Sequence, residues 1–271
     1  MEAIEKTKNT VQNRLQNKKV IVTGAGNGIG RGLAEAMGMH GAKVAICATN
    51  PKTLSETEEI LKNSNIEVFS KVVDIRIEDE IIDFVKESVA FMGGINVLIN
   101  NAAVMPSTRL ETLTSETIDH VLSVNLRAPI LFTREVVPYM KEEGVGSIIH
   151  MSSVTGHNGF PEVAIYGATK GGLNSLARGH AMELAPYNIR VNSISPGTVD
   201  SPMLHRFVQE NSSNPEKALL EFSRIHPRGT VASVEEVANT FVFLASDESA
   251  NITATDIRCD GGYCVQGVQP K

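Results

Sequence analysis

The sequence predicts a single doubly wound α/β domain, and three observations carry that prediction. Short β-branched or apolar runs alternate with stretches of helical periodicity along nearly the whole chain. Strands separated by helices in this way build a parallel sheet with helices on both faces. The length of 271 residues suits one large domain of this kind, and an apolar content of 42% is enough to fill its core.

Residues 1–17 are rich in Lys, Asn, Gln and Glu and hold no apolar run. They read as a polar tail, disordered or loosely docked, and not as a secretory signal; the domain occupies 18–271. Val20-Ile-Val22 is a buried strand, and after a glycine-rich turn Arg31 to His40 is helical, closed by Gly41. Val44 to Cys47 is the second strand, Pro51 opens a helix to about Lys62, and Glu67 to Val73 is the third strand. Glu78 to Phe91 is amphipathic, with Ile81, Ile82, Val85 and Val89 on one side, and Ile95 to Ile99 is a strand stopped by Asn100 and Asn101. A helical stretch from about Thr117 to Lys141 is interrupted by Pro129 and Pro138. Ser147 to Met151 is a strand, Tyr166 to Leu184 a helix ending before Pro186, and Ile189 to Ile194 a strand. Val234 to Ser246 is a helix and Thr255 to Cys259 the seventh strand. The segment 201–228 breaks the alternation: polar and proline-bearing, it reads as a long loop of the sort that covers an active site.

With 25 basic against 31 acidic residues the net charge is −6, and no basic block occurs, which argues against nucleic-acid binding. No apolar run reaches the roughly 18–20 residues of a membrane span. The cysteines, Cys47, Cys259 and Cys264, are odd in number and form no Cys-x-x-Cys pair. This implies a reducing, cytoplasmic compartment with neither disulfides nor a zinc site. His157 and His205 lack a second ligand at metal-binding spacing, so no metal is expected.

Two motifs carry chemistry. Thr23-Gly-Ala-Gly-Asn-Gly-Ile-Gly30 joins the first strand to the first helix. Glycines there let backbone N–H groups approach a pyrophosphate, whose charge the helix N-terminus favours. Ile29 falls where G-x-G-x-x-G needs its third glycine; Gly24, Gly28 and Gly30 fit T-G-x-x-x-G-x-G instead. The second motif is Tyr166-x-x-x-Lys170, thirteen residues after Ser153. Four residues are about one helical turn, so Tyr166 and Lys170 share a face. An ammonium beside a phenol of pKa about 10 favours the phenolate, which brings proton transfer within reach of neutral pH. The Ser153 hydroxyl can hold a substrate oxygen against Tyr166.

Together with Asn100-Asn-Ala-Ala103, Asn125 and Pro196-Gly197, these motifs resemble the short-chain dehydrogenase/reductase family over about Lys18 to Tyr263. The resemblance implies a Rossmann-type sheet of strand order 3-2-1-4-5-6-7, usually assembled as homotetramers or dimers. It implies that Tyr166 is the general acid–base, that Lys170 lowers its pKa and binds the nicotinamide ribose, that Ser153 orients substrate, and that Asn125 holds a water linking Lys170 to solvent. By the same resemblance Gly24, Asn27, Gly28 and Ile29 hold the pyrophosphate, Asp74 and Ile75 meet the adenine, and Asn101 and Ala102 lie beneath the cofactor. Pro196, Gly197, Val199 and Ser201 contact the nicotinamide end. Asp74 also suits a helix cap. Ala103 stands where the family commonly has glycine.

Enzymes using NAD usually end the second strand in an acid that holds the ribose 2′-OH. Here Ala48-Thr49-Asn50 stands there, with no acid before Glu56. Thr49 and Asn50 are donors for a 2′-phosphate, which favours NADP(H), with NAD(H) the alternative. The expected reaction interconverts a secondary alcohol and a ketone. The pocket loops, with Val104, Met105, His157, Asn158, Phe160, Met203, Leu204, His205 and Phe207, mix apolar and hydrogen-bonding groups, so alicyclic, steroid-like, sugar and polyol substrates all stay open. A 3-oxoacyl-[acyl-carrier-protein] reductase shares the pattern, but its acidic partner needs a basic surface and Lys141-Glu-Glu-Gly144 carries two acids. A non-catalytic dinucleotide sensor on the same fold is the remaining class, and it has no need of the full Asn125, Ser153, Tyr166, Lys170 set.

Overall fold

In a computed structural model of the chain, residues 13–266 are described. Seven parallel strands are hydrogen-bonded in the order β3-β2-β1-β4-β5-β6-β7: β1 (Lys19–Thr23), β2 (Lys43–Ala48), β3 (Val68–Val72), β4 (Val97–Asn100), β5 (Gly146–Met151), β6 (Ile189–Pro196) and β7 (Asp256–Cys259). This is the order the family resemblance implies. The helices are α1 (Gly28–Met39), α2 (Pro51–Asn63), α3 (Glu78–Met92), α4 (Ser115–Leu122), α5 (Ala128–Glu143), α6 (Ala164–Leu184), α7 (Pro202–Asn211), α8 (Pro215–Arg224) and α9 (Val234–Ala245).

Strand residues alternate between two cores because successive side chains leave opposite faces of a sheet. Val20, Val22, Val44, Ile46, Ile149 and Met151 pack with Leu33 of α1, Leu54 of α2 and Phe241 of α9. Ile21, Ala45, Cys47 and Ile148 pack on the other face with Phe84 of α3, Phe132 of α5 and Ala177 of α6. Both faces being covered explains why the strands read as continuous apolar runs.

The sheet order reverses at β1, which lies between β2 and β4. The strand ends at such a reversal diverge and leave a crevice where doubly wound folds bind ligands. The turn after β1 and Asn101 after β4 both face it.

Three elements depart from expectation. The segment 201–228 is not a loop but chiefly two helices, α7 and α8. Ser201 Oγ accepts from Leu204 N and Asn214 Oδ1 from Lys217 N, so each serves as an N-cap followed by proline at the first turn. Those prolines start helices, where a missing N–H costs nothing. The helical stretch expected over about Thr117 to Lys141 is interrupted not at Pro129 or Pro138, which both lie within α5, but by a π-helical turn, Ser123–Arg127, that joins α4 to α5 around Asn125. The end of the polar tail is packed. Leu15 is fully buried in the first core, and Arg14 and Lys18 pair with Glu248 and Asp247 at 2.7 and 2.6 Å. Residues 1–12 lie outside the described residues.

Candidate active site

Gly24 has φ +68°, a left-handed conformation that glycine adopts without cost, and a Cβ there would sit 2.7 Å from Ala102 Cα. Gly30 is closer still to its neighbours, since a Cβ on it would meet Gly24 O at 2.1 Å. These contacts press the turn against the start of α1. Asn27 is the N-cap of α1, yet its side chain makes no capping bond and is exposed, so the helix N-terminus opens into the crevice. Ile29 packs against the first core and leaves the rim to Asn27 and Gly28. Asn101 fixes the turn from behind: its Nδ2 donates to Thr23 O at 2.9 Å and Gly24 O at 3.2 Å, and the N–H groups of Asn101 and Ala102 donate to Thr23 Oγ1 at 3.1 Å. A narrow, uncapped, glycine-lined helix start fits a pyrophosphate.

At the end of β2, Thr49 and Asn50 are exposed. Asn50 Oδ1 accepts from Lys52 N and Thr53 N and caps α2. Arg31 lies across the turn, its guanidinium donating to Gly26 O at 2.9 Å and Thr57 Oγ1 at 2.9 Å and pairing with Glu56. Asp74 is not a helix cap, because α3 is capped by Ile77. Its carboxylate instead holds Arg76, whose guanidinium keeps it below the usual carboxylate range. Ile75 beside it is buried.

The four proposed catalytic residues lie on three elements: Ser153 after β5, Tyr166 and Lys170 on α6, and Asn125 in the π turn. Ser152 Oγ donates to Lys170 O at 2.9 Å and is spent on the helix backbone, whereas Ser153 Oγ accepts from Thr155 N at 3.2 Å and keeps its own hydroxyl hydrogen to donate. Two glycines bring the Ser153 loop flush against α6. A Cβ on Gly156 would come within 2.9 Å of the Gly171 N and Lys170 C atoms, and one on Gly167 within 2.8 Å of Thr155 O.

Tyr166 and Lys170 are both buried, at 7% and 1% exposure. Their ionisation departs from the sequence expectation. Burial pushes the Tyr166 phenol up to about 12, with the Ser153 hydroxyl pulling the other way, and burial drives Lys170 down to about 7. The ammonium does not lower the phenol here: Lys170 Nζ lies 5.3 Å from the ring centroid and donates to Met151 O at 2.6 Å. Loss of hydration outweighs attraction when two groups share a dry site.

Asn125 is fully buried, but its side chain is already engaged. Oδ1 accepts from Val104 N and Nδ2 donates to Val104 O, both at 2.8 Å, and Nδ2 also reaches Thr169 Oγ1 at 3.3 Å. The amide thus holds the loop leaving Asn101 in place, a role beyond the water-holding expectation. Pro196 ends β6, and Gly197 N donates to Cys259 O at 3.1 Å. Ser201, besides capping α7, lies with Pro202 over Gly28. Val199 faces the core and bridges to Ala232.

The family model described as enoyl-(acyl carrier protein) reductase matches residues 24–264, nearly all of the described residues. The chain is a short-chain dehydrogenase/reductase. This dehydrogenase/reductase is 36% identical to a 3-oxoacyl-[acyl-carrier-protein] reductase of Thermotoga maritima, covering 93% of this chain and 100% of the relative. It is also 36% identical to carbonyl reductase [NADPH] 2 of Sus scrofa, over 93% and 99% of the two chains. The crystal structure of levodione reductase superimposes with a TM-score of 0.88 at 30% identity, covering 92% of this chain and 98% of that one. These likenesses make the dehydrogenase/reductase an oxidoreductase of a family that uses nicotinamide dinucleotides. Among the described residues no helix is long and apolar enough to cross a membrane.

Sequence reading of the dehydrogenase/reductase missed several polar groups around this site. His226, 4% exposed, accepts from Thr198 N at 3.1 Å and donates through Nδ1 to Phe222 O at 2.7 Å, tying the end of α8 to the Pro196–Gly197 loop. Its ring lies 5.1 Å from that of Tyr263, which stacks on Phe160 at 6.2 Å. Of the expected pocket residues, His205 instead pairs with Asp200 and Phe207 packs on Phe222. His157 bonds Asp256. An acid at the first position of a four-residue strand, as at Asp256, is the signal that was available.

Proposed function

We propose that the protein interconverts a ketone and a secondary alcohol using NADP(H), with Tyr166 passing the proton to and from the substrate oxygen. The observation carrying this reading is the convergence of the Tyr166 phenol, the Ser153 hydroxyl and the buried Lys170 beside the crevice of the glycine turn. Ser153 holds the substrate oxygen at Tyr166. A phenol kept neutral up to about 12 is a hydrogen-bond donor throughout the physiological range, which suits protonation of a forming alkoxide. Lys170, held near 7, exchanges protons at neutral pH and replenishes the site. When bound, the nicotinamide supplies or takes the hydride at the carbonyl carbon.

Gly24, Asn27, Gly28 and Ile29 would hold the pyrophosphate, Asp74 and Ile75 the adenine, and Thr49 and Asn50 the ribose. Asn101, Ala102, Pro196, Gly197, Val199 and Ser201 would border the nicotinamide half, with Tyr166 and Lys170 against its ribose. The lack of an acid at 48–50, and the pairing of Glu56 with Arg31, support NADP(H) over NAD(H). The helices α7 and α8 act as the lid. The stacked rings of Phe160 and Tyr263 offer an apolar surface, which favours a small alicyclic ketone. The carrier-protein reading gains from the Thermotoga maritima relative, yet Arg127 and Arg134 both pair with Glu78, which offsets part of the positive charge they would offer an acidic partner. A homotetramer is the assembly the family resemblance supports, with a dimer the alternative, and the three free cysteines support a cytoplasmic setting.

The test is a screen of cyclic ketones, diketones and their alcohols at 340 nm with NADPH and with NADH. Turnover with a lower KM for NADPH is expected. Tight NADPH binding without turnover of any carbonyl would turn the reading into a dinucleotide sensor, and a lower KM for NADH would overturn the cofactor choice.

A further inference from the structure

We propose that the His157–Asp256 pair is a positioning device that holds the Ser153 loop in register with the Lys170 helix; this rests on the carbonyl-reductase reading above. His157 lies four residues beyond Ser153, at the far end of the short turn Val154–Gly156. Its Nε2 is 2.8 Å from Asp256 Oδ2, at the first residue of the edge strand β7. The other carboxylate oxygen accepts from both Ser193 Oγ and Ser195 Oγ of β6 at 2.8 Å. Ser195 Oγ is also 3.2 Å from the His157 ring nitrogen, and Asn174, one helical turn beyond Lys170, reaches the same nitrogen at 3.2 Å.

Four elements therefore meet at one carboxylate and one imidazole: the serine loop, α6, β6 just before Pro196, and β7. Ser193 and Ser195 are fully buried, Asn174 is 5% exposed, and the Asp256 side chain is 14% exposed. An exposed ion pair does little, but a mostly buried carboxylate with three donors fixes geometry, because each donor loses its partner if the loop moves. The single His157 Nε2–H is directed at Asp256; the Asn174 Nδ2 lies beside the same nitrogen at 3.2 Å, and its Oδ1 is buried without a hydrogen-bond partner.

The backbone presents Asp256 at some strain, since Ala254 just before β7 has φ +59° in the left-handed region without being glycine. At the other end, Gly156 touches the Lys170–Gly171 backbone, so the loop has no slack between Ser153 and His157. Misplacing a substrate-orienting group by an ångström costs on the order of a hundredfold in rate. The pair touches no reacting atom; it acts through Ser153 and α6.

The test is a mutant cycle of His157→Leu, Asp256→Ala and the double variant, with His157→Gln as the conservative replacement, assayed with NADPH and the fastest ketone of the screen. Each single variant is expected to lose about tenfold in kcat with KM for NADPH within twofold. The double should be no worse than the poorer single, and H157Q, which keeps a donor for Asp256, should recover most of the loss. Unchanged kcat in the singles, losses that multiply in the double, or a loss confined to KM for NADPH would each overturn the proposal. If D256A does not fold, Asp256→Asn keeps an acceptor for the serines and replaces the acceptor facing the His157 N–H with an amide donor; a kcat equal to the parent's would then refute it. A parent inactive on every ketone overturns the underlying reading, whereas an active parent matched by its variants overturns this inference alone.

Discussion

Replacing Lys170 by methionine is expected to stabilise the fold while abolishing turnover. Lys170 is 1% exposed and its pKa is lowered from 10.5 to about 7, with burial as the cause. At 1.36 kcal/mol per pH unit, keeping that ammonium in the interior costs the folded state about 5 kcal/mol below pH 7. Methionine is similar in length and unbranched, so it fills the same space. It forfeits the 2.6 Å bond to Met151 O, and a buried acceptor left short costs roughly 1–3 kcal/mol. The net gain is about 2–4 kcal/mol at pH 6. At roughly 2–4 °C per kcal/mol for a chain of this size, Tm rises by about 4–16 °C. The sign with pH follows from linkage. Between about 7 and 10.5 the unfolded chain holds a proton on Lys170 that the folded chain has released, so the parent gains stability as pH rises and the variant's advantage shrinks. Scanning calorimetry at pH 6 and pH 10 checks both points. A parent at least as stable as K170M at pH 6, or a gap that does not change across the window, would refute the reasoning.

Gly24→Ala should weaken NADPH binding at least tenfold in a fluorescence titration and destabilise by about 2–4 kcal/mol, since it adds the left-handed penalty to a clash with the Ala102 backbone. Leu15→Ala should cost about 2–5 kcal/mol in urea unfolding with cofactor affinity unchanged, because Leu15 is a core residue; a change below about 0.5 kcal/mol would mean that the segment is only loosely docked.

Strands buried on both faces, such as β1, β2 and β4, advertise themselves as apolar runs, whereas the edge strands β3 and β7, which carry Lys71 and Arg258, were legible from the alternation of strands with helices; the order of all seven came through the family resemblance. The glycine turn was legible for a related reason: Gly24 and Gly30 stand where side chains have no room. What escaped was set by contacts between distant segments. Prolines at 202 and 215 suggested a loop because the caps before them, Ser201 and Asn214, carried the decisive signal. The π turn around Asn125 depends on its bonds to Val104, which no local pattern encodes. The spacing of Tyr166 and Lys170 foretold their shared face but not how dry it is, and burial reversed the expected direction of the Tyr166 shift. His157 and Asp256 are ninety-nine residues apart, so only the folded chain shows them as partners.

The central claim, that Tyr166 moves the proton, is tested most directly by Tyr166→Phe. Phenylalanine keeps the ring in its packing and removes only the hydroxyl that faces Ser153. The account predicts a fall in kcat/KM of about 10²–10⁴ on the best ketone, with the NADPH dissociation constant unchanged. Undiminished kcat/KM in this variant would contradict it.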